Sequence, residues 1–402
     1  MSRTQAGSPW RSALAVTLLA IAVGFLYSFV LMPFLHHTGS WRQPPDAWLN
    51  LAASHYVPWG GFPLIYGAGV KGGSGLFVAG PVLPILLSPV ALVGDLTHAA
   101  ESYPFPLGRP AIWPLLMTYG LALSVPAFAG MRALAHELGA RAGLAGLQLA
   151  VLAVAVLPAA IVYGHYEDLL ALGLAAFGAR EIARDRPLRA GLLFALAVCS
   201  KQWAALAIPV AVAFLDGRGR RPFLVAAVGI PAAAFGFFLL ADPTNASNAL
   251  LHPPSFPSTG HAAFWIDPAT NVVVGSAGRA LSLAGAIALA WWARGRGRGA
   301  IAPALGLAFL LRMPFETVVF SYYLGPALAL FAVGELLDHG RVTRTLLGGS
   351  LMLLWFFVPS GPAWWAGEAL LAIPLVVPAV RAVRAPASEA AAVAPAAAPA
   401  AA

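Results

Sequence analysis

Long apolar runs, interrupted by short polar turns, repeat along the chain from Arg11 almost to the C-terminus. The first run extends to Leu35, and about 20 apolar residues in a helix are enough to cross a hydrocarbon core of roughly 30 Å. The pattern predicts an all-α, polytopic membrane protein with about 11 to 13 transmembrane or re-entrant helices. Segment 36–75 is rich in Trp, Tyr, Pro and Gly, so we expect a long first external loop with helices in the membrane interface.

Most arginines fall in short clusters between the apolar runs, a distribution typical of cytoplasmic loops. These clusters are RDRPLR (184–189), DGRGRRP (216–222), RGRGRG (294–299) and RAVR (381–384). Arginine also precedes the first apolar run. We therefore expect a multi-pass protein of the cytoplasmic (inner) membrane with both termini in the cytoplasm.

The stretch 75–141 leaves two topologies open. Simple alternation from a cytoplasmic N-terminus places 132–141 outside, whereas Arg132 and Arg141 favour the inside. Either the proline-punctuated run 75–94 is re-entrant, or the loop 132–141 violates the charge rule.

The apolar stretch 189–215 has arginine clusters on both sides and the sequence SKQW in its middle. A single crossing is therefore disfavoured. Two half-helices of about 12 residues, each roughly 18 Å long, would form a re-entrant hairpin with Lys201 near its tip. Irregular backbone at that depth requires surrounding protein or a water-filled cavity.

The composition agrees with a lipid-embedded protein. Of 402 residues, 59% are hydrophobic and only 10% are charged, against about 25% charged in soluble domains. We predict one membrane domain over residues 1–384 and a disordered, Ala/Pro-rich cytoplasmic tail over 385–402. Attraction to anionic lipids explains the net charge of +8 without nucleic acid, and the single cysteine excludes a disulfide framework.

Asp46 is the candidate catalytic residue. It is the one acid in the aromatic, proline-rich segment 41–66 that follows the first apolar run. A carboxylate held in a partly dehydrated pocket can act as a general base. The alternative is structural, because aspartate before an apolar run is also a good helix N-cap.

The sequence GHYED (164–168) supplies the second group of candidates. Glu167 and Asp168 begin an apolar helix, where the helix dipole favours acids. Two acids together with His165 exceed what helix capping needs. Because carboxylates and imidazoles exchange hydrogen bonds with hydroxyl groups, we expect this turn to contact a sugar.

Lys201 must either reach the interface with its ammonium group or bind an anion, and a lipid phosphate is a suitable one. In the segment RMPFETVVFSYY (312–323), Arg312 and Glu316 have the spacing of an ion pair on one helix face. Further candidates for substrate binding are Glu316, Tyr322 and Tyr323, although the tyrosines could be interface anchors, and His261, although a lone loop histidine is usually solvated.

Several of these segments resemble the GT-C superfamily of membrane glycosyltransferases, in particular the bacterial mannosyltransferase-like group that uses polyprenyl-phosphate sugar donors. The resemblance covers roughly residues 11 to 335, in order. The segments are D-AW-NLAASHYVPWGGFPLIY, GLFVAGPVLPILLSPVALVG, GHYEDLLALGL with RPLRAGLLFALAVCSKQWAALAIPV, and FETVVFSYYLGPALAL. GHYED departs from an expected Gly-Gln and single acid, and Trp203 stands where proline is commoner; these departures leave the sugar and acceptor open.

The resemblance implies that Asp46 deprotonates an acceptor hydroxyl and that Lys201 contacts the donor phosphate. It implies a hexosyltransferase that moves mannose or a similar sugar from a polyprenyl-phosphate donor to a lipid or cell-envelope glycan at the outer face of the membrane. No metal or other cofactor is implied, and no nucleotide sugar. The alternative is a transporter or flippase of lipid-linked sugars, for which an internal repeat is typical and none is evident.

Overall fold

The computed structural model describes residues 9–32, 34, 46–67, 77, 79–99, 112–251, 261–262, 271–316, 318–359 and 361–385. The segment before Asp46 and nearly all of the predicted C-terminal tail lie outside these residues. The described chain is almost entirely helical, in agreement with the predicted all-α class.

The described residues form sixteen α-helices, α1 to α16 in chain order. They are α1 Pro9–Leu26, α2 Ala47–His55, α3 Val82–Leu96, α4 Trp113–Ala122, α5 Val125–Glu137, α6 Leu144–Val151, α7 Tyr166–Ala183, α8 Pro187–Ser200, α9 Ala207–Ala213, α10 Gly217–Ala241, α11 Pro243–Leu251, α12 Asn271–Ala293, α13 Ile301–Leu310, α14 Gly325–His339, α15 Thr343–Trp355 and α16 Pro362–Arg384.

Shorter elements extend or connect these helices. The π-helices Tyr27–Leu31 and Leu152–Tyr163 extend α1 and α6, and the 3-10 helices are Phe62–Gly67, Gln202–Leu206, Arg298–Ala300, Met313–Phe315 and Ser321–Leu324. The described strands are β1 His261–Ala262 and β2 Val318–Val319, which pair antiparallel with His261 opposite Val319.

Among the described residues, five helical stretches are long and apolar enough to cross a membrane: Trp10–Leu31, Trp113–Glu137, Leu144–Tyr163, Gly217–Ala241 and Pro362–Arg384. Shorter apolar helices accompany them, at Val82–Leu96, Pro187–Ser200, Gln202–Ala213 and Ala277–Ala293. The protein is therefore an all-α membrane protein. The larger predicted number of membrane segments stays a prediction.

One end of the bundle, which we name the arginine-rich face, is defined by Glu137, Arg184, Asp185 and Arg298. Arg184 Nε donates to Glu137 Oε2 at 2.6 Å, and Arg298 Nη2 donates to Asp185 Oδ2 at 2.5 Å. The loop 132–141 therefore lies beside the RDRPLR cluster, at the same end of the bundle.

Both ends of the described chain reach the arginine-rich face. Trp10 at the start of α1 stacks on Phe177, near the end of α7, with ring centroids 5.6 Å apart. At the other end of the chain, Arg296 Nη1 donates to the backbone carbonyl of Arg384 at 2.8 Å. The first and last described helices thus have these ends on the same side of the bundle; that both termini are cytoplasmic stays a prediction.

Contacts between α1 and the α4–α5 pair show how the stretch 75–141 connects these helices. Thr17 lies 3.4 Å from Ser124, and further along α1 the Ser28 hydroxyl donates to Met117 at 3.7 Å. The two segments are therefore antiparallel, so α4 begins at the end of the bundle where α1 finishes. The chain between them, which contains α3, therefore makes no net crossing of the bundle, in agreement with the re-entrant alternative; that α3 enters a membrane stays a prediction.

The predicted hairpin around Lys201 agrees with the packing of α8 against α10. A Cβ on Gly219 would lie 3.4 Å from the Cβ of Pro187, and one on Gly191 would lie 3.0 Å from the Cβ of Ala226. Both helices thus start at the same level and advance in parallel. The chain between them must return to that level, and it turns at Lys201.

Gly80, in the loop before α3, packs against the backbone at the turn of this hairpin. Its N–H donates to the carbonyl of Ser200 at 2.9 Å. A Cβ at this position would lie only 1.8 Å from the carbonyl oxygen of Cys199, so a residue without a side chain is required. The loop before α3 therefore fixes the backbone on which Lys201 stands.

Candidate functional site

Four parts of the chain meet at the end of the bundle opposite the arginine-rich face: the start of α2, the start of α7, the turn after α8, and the 3-10 helix Ser321–Leu324. Gly164 ends the π-helix in a left-handed conformation with φ of 82°, which glycine adopts without strain. The His165 N–H then donates to the carbonyl of Ala159 at 2.8 Å. This turn places the imidazole beside Asp46.

Asp46 occupies the N-cap position of α2, but its side chain makes no capping hydrogen bond. Its backbone N–H donates to the carbonyl of Tyr163 at 3.1 Å. Its Oδ2 instead lies 2.8 Å from His165 Nε2, and about a third of the side chain (34%) is exposed. The carboxylate therefore faces the imidazole and the exterior, which the capping alternative does not explain.

The imidazole of His165 lies between two carboxylates. Nδ1 is 2.7 Å from Glu167 Oε1, whereas Nε2 approaches Asp46 without the alignment of a hydrogen bond. The ring also packs on Tyr322, with centroids 4.2 Å apart. Burial and Lys201 each lower the pKa of His165, but Glu167 and Asp46 outweigh them and raise it to about 9. At neutral pH the ring is therefore a cation between two anions.

Glu167 is the centre of the buried network. Lys201 Nζ donates to its Oε1 at 2.8 Å, and Asn50 Nδ2 donates to its Oε2 at 3.1 Å. The same amide group reaches the carbonyl of Gly164 at 3.1 Å. Asn50 therefore ties α2 to the turn before α7, and every oxygen of this fully buried acid has a donor.

Asp168 is the second acid beside Lys201. Its Oδ2 lies 3.7 Å from Lys201 Nζ, and its Oδ1 accepts a hydrogen bond from the indole of Trp203. Lys201 is only 5% exposed, so its ammonium group does not extend to the surface of the bundle. It balances two buried acids instead, and its predicted contact with a donor phosphate stays a prediction.

The predicted Arg312–Glu316 ion pair is confirmed, with Nε and Oε1 2.6 Å apart. The guanidinium also lies over the ring of Tyr323, 3.6 Å from its centroid, a cation–π geometry. Tyr322 is 6% exposed and packs on His165. Both tyrosines therefore pack against candidate site residues, Tyr322 against His165 and Tyr323 against Arg312; their predicted substrate contacts stay a prediction.

A cavity of about 10 Å³ separates Asp168 and Trp203 from Arg312 and Tyr323. This is barely the volume that one water molecule needs. The Lys201 network and the Arg312 pair are thus adjacent. Glu316 is connected to the site by its ion pair with Arg312 and not by direct contact with the other acids.

The backbone of His261 lies near the candidate functional site because it belongs to a strand pair. The strand β1 pairs with β2, which precedes the tyrosines at 322 and 323 by a few residues. The side chain of His261 lies outside what the structure describes, and its predicted substrate contact stays a prediction.

His165, Glu167 and Asp168 place potential metal-ligand atoms within 4.8 Å of one another. The ammonium group of Lys201 already supplies the positive charge at this point, 2.8 Å from Glu167. A metal ion would therefore have to compete with a covalently attached cation. The arrangement favours an ion-pair network over a metal centre.

Sequence reasoning missed three residues of the site: Asn50, Trp203 and Arg279. Asn50 lies one helical turn after Asp46, a spacing that would have placed both on one face. Trp203 follows Lys201 closely, but its hydrogen bond to Asp168 depends on a contact between distant helices. Arg279 is exposed and donates to the carbonyl of Leu250 at 2.5 Å; nothing in its sequence context indicates the proximity to Arg312 and Glu316.

No model of a known protein family matches the chain. None of the curated proteins matches its sequence either.

Proposed function

We propose that the protein is a membrane glycosyltransferase that transfers a sugar from a polyprenyl-phosphate donor to a hydroxyl group of a lipid or glycan acceptor. Asp46 is the general base. The observation that supports this proposal best is the environment of Asp46: an uncapped, partly exposed carboxylate beside a buried chain of alternating charges.

The reaction requires one main contribution from the protein, which is removal of the proton from the acceptor hydroxyl. The acceptor oxygen attacks the anomeric carbon, and the bond between that carbon and the donor phosphate oxygen breaks. The phosphate leaves with the electron pair, while the proton passes to Asp46. Because the leaving phosphate is already a stable anion, a general acid is not essential.

The positive groups around Asp46 fit an anionic donor. His165 is a cation at neutral pH, and Lys201 and Arg312 are buried nearby, each balanced by acids. Arg279 is exposed and hydrogen-bonds to a backbone carbonyl. In this proposal Lys201 contacts the donor phosphate while still sharing its charge with Glu167, and Arg279 provides a second cation at the entrance.

Asp46→Asn tests the base directly. The purified protein is reconstituted in vesicles with a polyprenyl-phosphate sugar and a lipid extract as acceptor, and the labelled product is counted. Loss of a general base lowers the rate by about 10² to 10⁴. Asp95→Asn is the matched control, because Asp95 also lies 2.8 Å from a histidine, His55, outside the buried network.

Wild-type transfer by Asp46→Asn, or equal losses in the two variants, would show that Asp46 is not the base. Movement of the labelled donor across the vesicle without a new glycosidic bond would support a transporter or flippase instead.

A further inference from the structure

Glu368 is a buried acid that the proposed transfer reaction does not use. It lies in α16, one of the membrane-spanning stretches, and is 4% exposed. Among the residues that the structure describes, neither of its carboxylate oxygens has a hydrogen-bond partner. An unpaired polar group in such an environment is energetically unfavourable, and within membrane helices ionisable residues usually serve a function.

Another buried acid of the bundle shows how unusual this is. Glu335 in α14 accepts hydrogen bonds from the backbone N–H groups of Arg344 and Thr345, at 2.8 Å and 2.7 Å. That carboxylate has a structural role, since it caps the start of α15. Glu368 caps nothing in the described chain and joins no second helix.

Glu368 borders a cavity of about 600 Å³ between α12, α13 and α16. Pockets for small-molecule ligands commonly have about 300 to 1,000 Å³. Of the described residues that line this cavity, Glu368 is the only ionisable one. The walls include Leu289, Trp292, Leu307, Leu310, Trp365 and Val376.

We propose that this cavity is a binding site for an uncharged lipid with a hydroxyl group at one end, such as a long-chain alcohol, and that Glu368 binds the hydroxyl. A carboxyl group that carries its proton both donates and accepts hydrogen bonds, so one hydroxyl satisfies it. The apolar walls take the chain. A charged head would need a counter-charge and further polar partners, and Glu368 is the one ionisable side chain among the described residues of the lining.

The site is separate from the Asp46 network, so it does not depend on the proposed transfer reaction. It touches the candidate functional site at two places: the turn after α13, where Leu311 and Met313 line the cavity, and Leu324, the last residue of the 3-10 helix Ser321–Leu324. Arg312, between Leu311 and Met313, points to Glu316 and Tyr323.

A photoactivatable long-chain alcohol tests the proposal with the full-length protein in detergent micelles. Saturable labelling is measured by mass spectrometry of the peptides that contain α12 and α16. Glu368→Leu removes the polar partner at similar volume and should weaken the apparent affinity about ten-fold, the effect of one lost buried hydrogen bond. Glu368→Gln keeps an uncharged donor and acceptor and should stay within about two-fold of wild type.

Ala372→Trp is the second variant, because it fills the cavity from α16 and leaves Glu368 in place. It should abolish labelling, while elution volume and helical circular dichroism stay as in the wild type. Unsaturable labelling, or equal labelling of Glu368→Leu and wild type, would overturn the site. Competition by an alkane as strong as by the alcohol would exclude recognition of a head group, and stronger binding of a long-chain amine would overturn the uncharged class.

Discussion

The two ends of α7 contain the same kinds of charged groups in opposite surroundings. At its start, Glu167 and Asp168 are 1% and 3% exposed and contact Lys201, which is equally buried. At its other end, the side chain of Arg184 is 33% exposed where it pairs with Glu137, and Asp185 is 77% exposed where it pairs with Arg298. Acids at the start and arginines at the end both suit the helix dipole.

The dipole therefore explains the sign of the charges at each end but not their burial. Exposed pairs contribute little to folding, about 0 to 1 kcal/mol, so the exposed pairs of Arg184 and Asp185 need no explanation beyond helix orientation. The buried end is costly to build, since each ion loses its hydration. A cost of this kind is typical of functional sites, which is why the two ends call for different interpretations.

Removing one cation at each end tests this contrast most strongly. Lys201→Met leaves two buried acids without their ammonium partner and should lower the free energy of unfolding by about 3 to 5 kcal/mol. Arg184→Met should change it by about 1 kcal/mol or less. Chemical unfolding in detergent, followed by circular dichroism, measures both.

The double variant Lys201→Met with Glu167→Gln is the control for lost packing. It should recover part of the stability, because it also removes a buried charge. Equal effects of Lys201→Met and Arg184→Met would contradict the distinction between the two ends.

Raising the pH tests the charge of the imidazole. The pKa of His165 rises from 6.5 to about 9 in the folded protein, so folding favours the protonated ring. This stabilisation is complete below pH 6.5 and is lost as the pH rises to about 9; it amounts to roughly 3 kcal/mol. Between pH 6.5 and pH 9, the free energy of unfolding of His165→Gln should therefore fall by roughly 3 kcal/mol less than that of the wild type.

His55→Gln is the matched control, because the His55 side chain is 54% exposed beside Asp95. It should keep the pH dependence of the wild type in thermal unfolding scans. A wild-type profile in His165→Gln would mean that the ring is neutral in the folded protein.

The smallest expected effect concerns the indole that donates to Asp168. Trp203→Phe keeps the ring packing on Phe309, whose centroid is 4.6 Å away, but removes the N–H donor from a buried acid. Stability should fall by about 1 to 3 kcal/mol. Trp59→Phe removes the equivalent donor to Asp95, at 2.8 Å and at an exposed position, and should cost at most about 0.5 kcal/mol. If the exposed substitution costs as much as the buried one, burial of Asp168 has no energetic consequence.

Much of the site could be predicted from single residues, because ionisable groups in an apolar chain are conspicuous. Asp46, the GHYED turn and Lys201 were found in this way, and the Arg312–Glu316 pair followed from local helical spacing. Their mutual contacts could not be predicted. Asn50 and Glu167 are separated by 117 positions in the chain, and Lys201 and Glu167 by 34, so helix packing alone determines which donor meets which acid.

The sequence by itself determined that this is a helical membrane protein, since apolar run length and backbone hydrogen bonding in lipid leave few other solutions. It also determined the arginine-rich clusters and the turn at Lys201. Only the tertiary structure decided that α4 begins at the end of the bundle where α1 finishes, that Asp46 faces His165 instead of capping α2, and that Glu368 lies beside a cavity without a hydrogen-bond partner among the described residues. These outcomes depend on which side chains other helices place at the same depth in the bundle. The local sequence does not determine those neighbours, because they are distant in the chain.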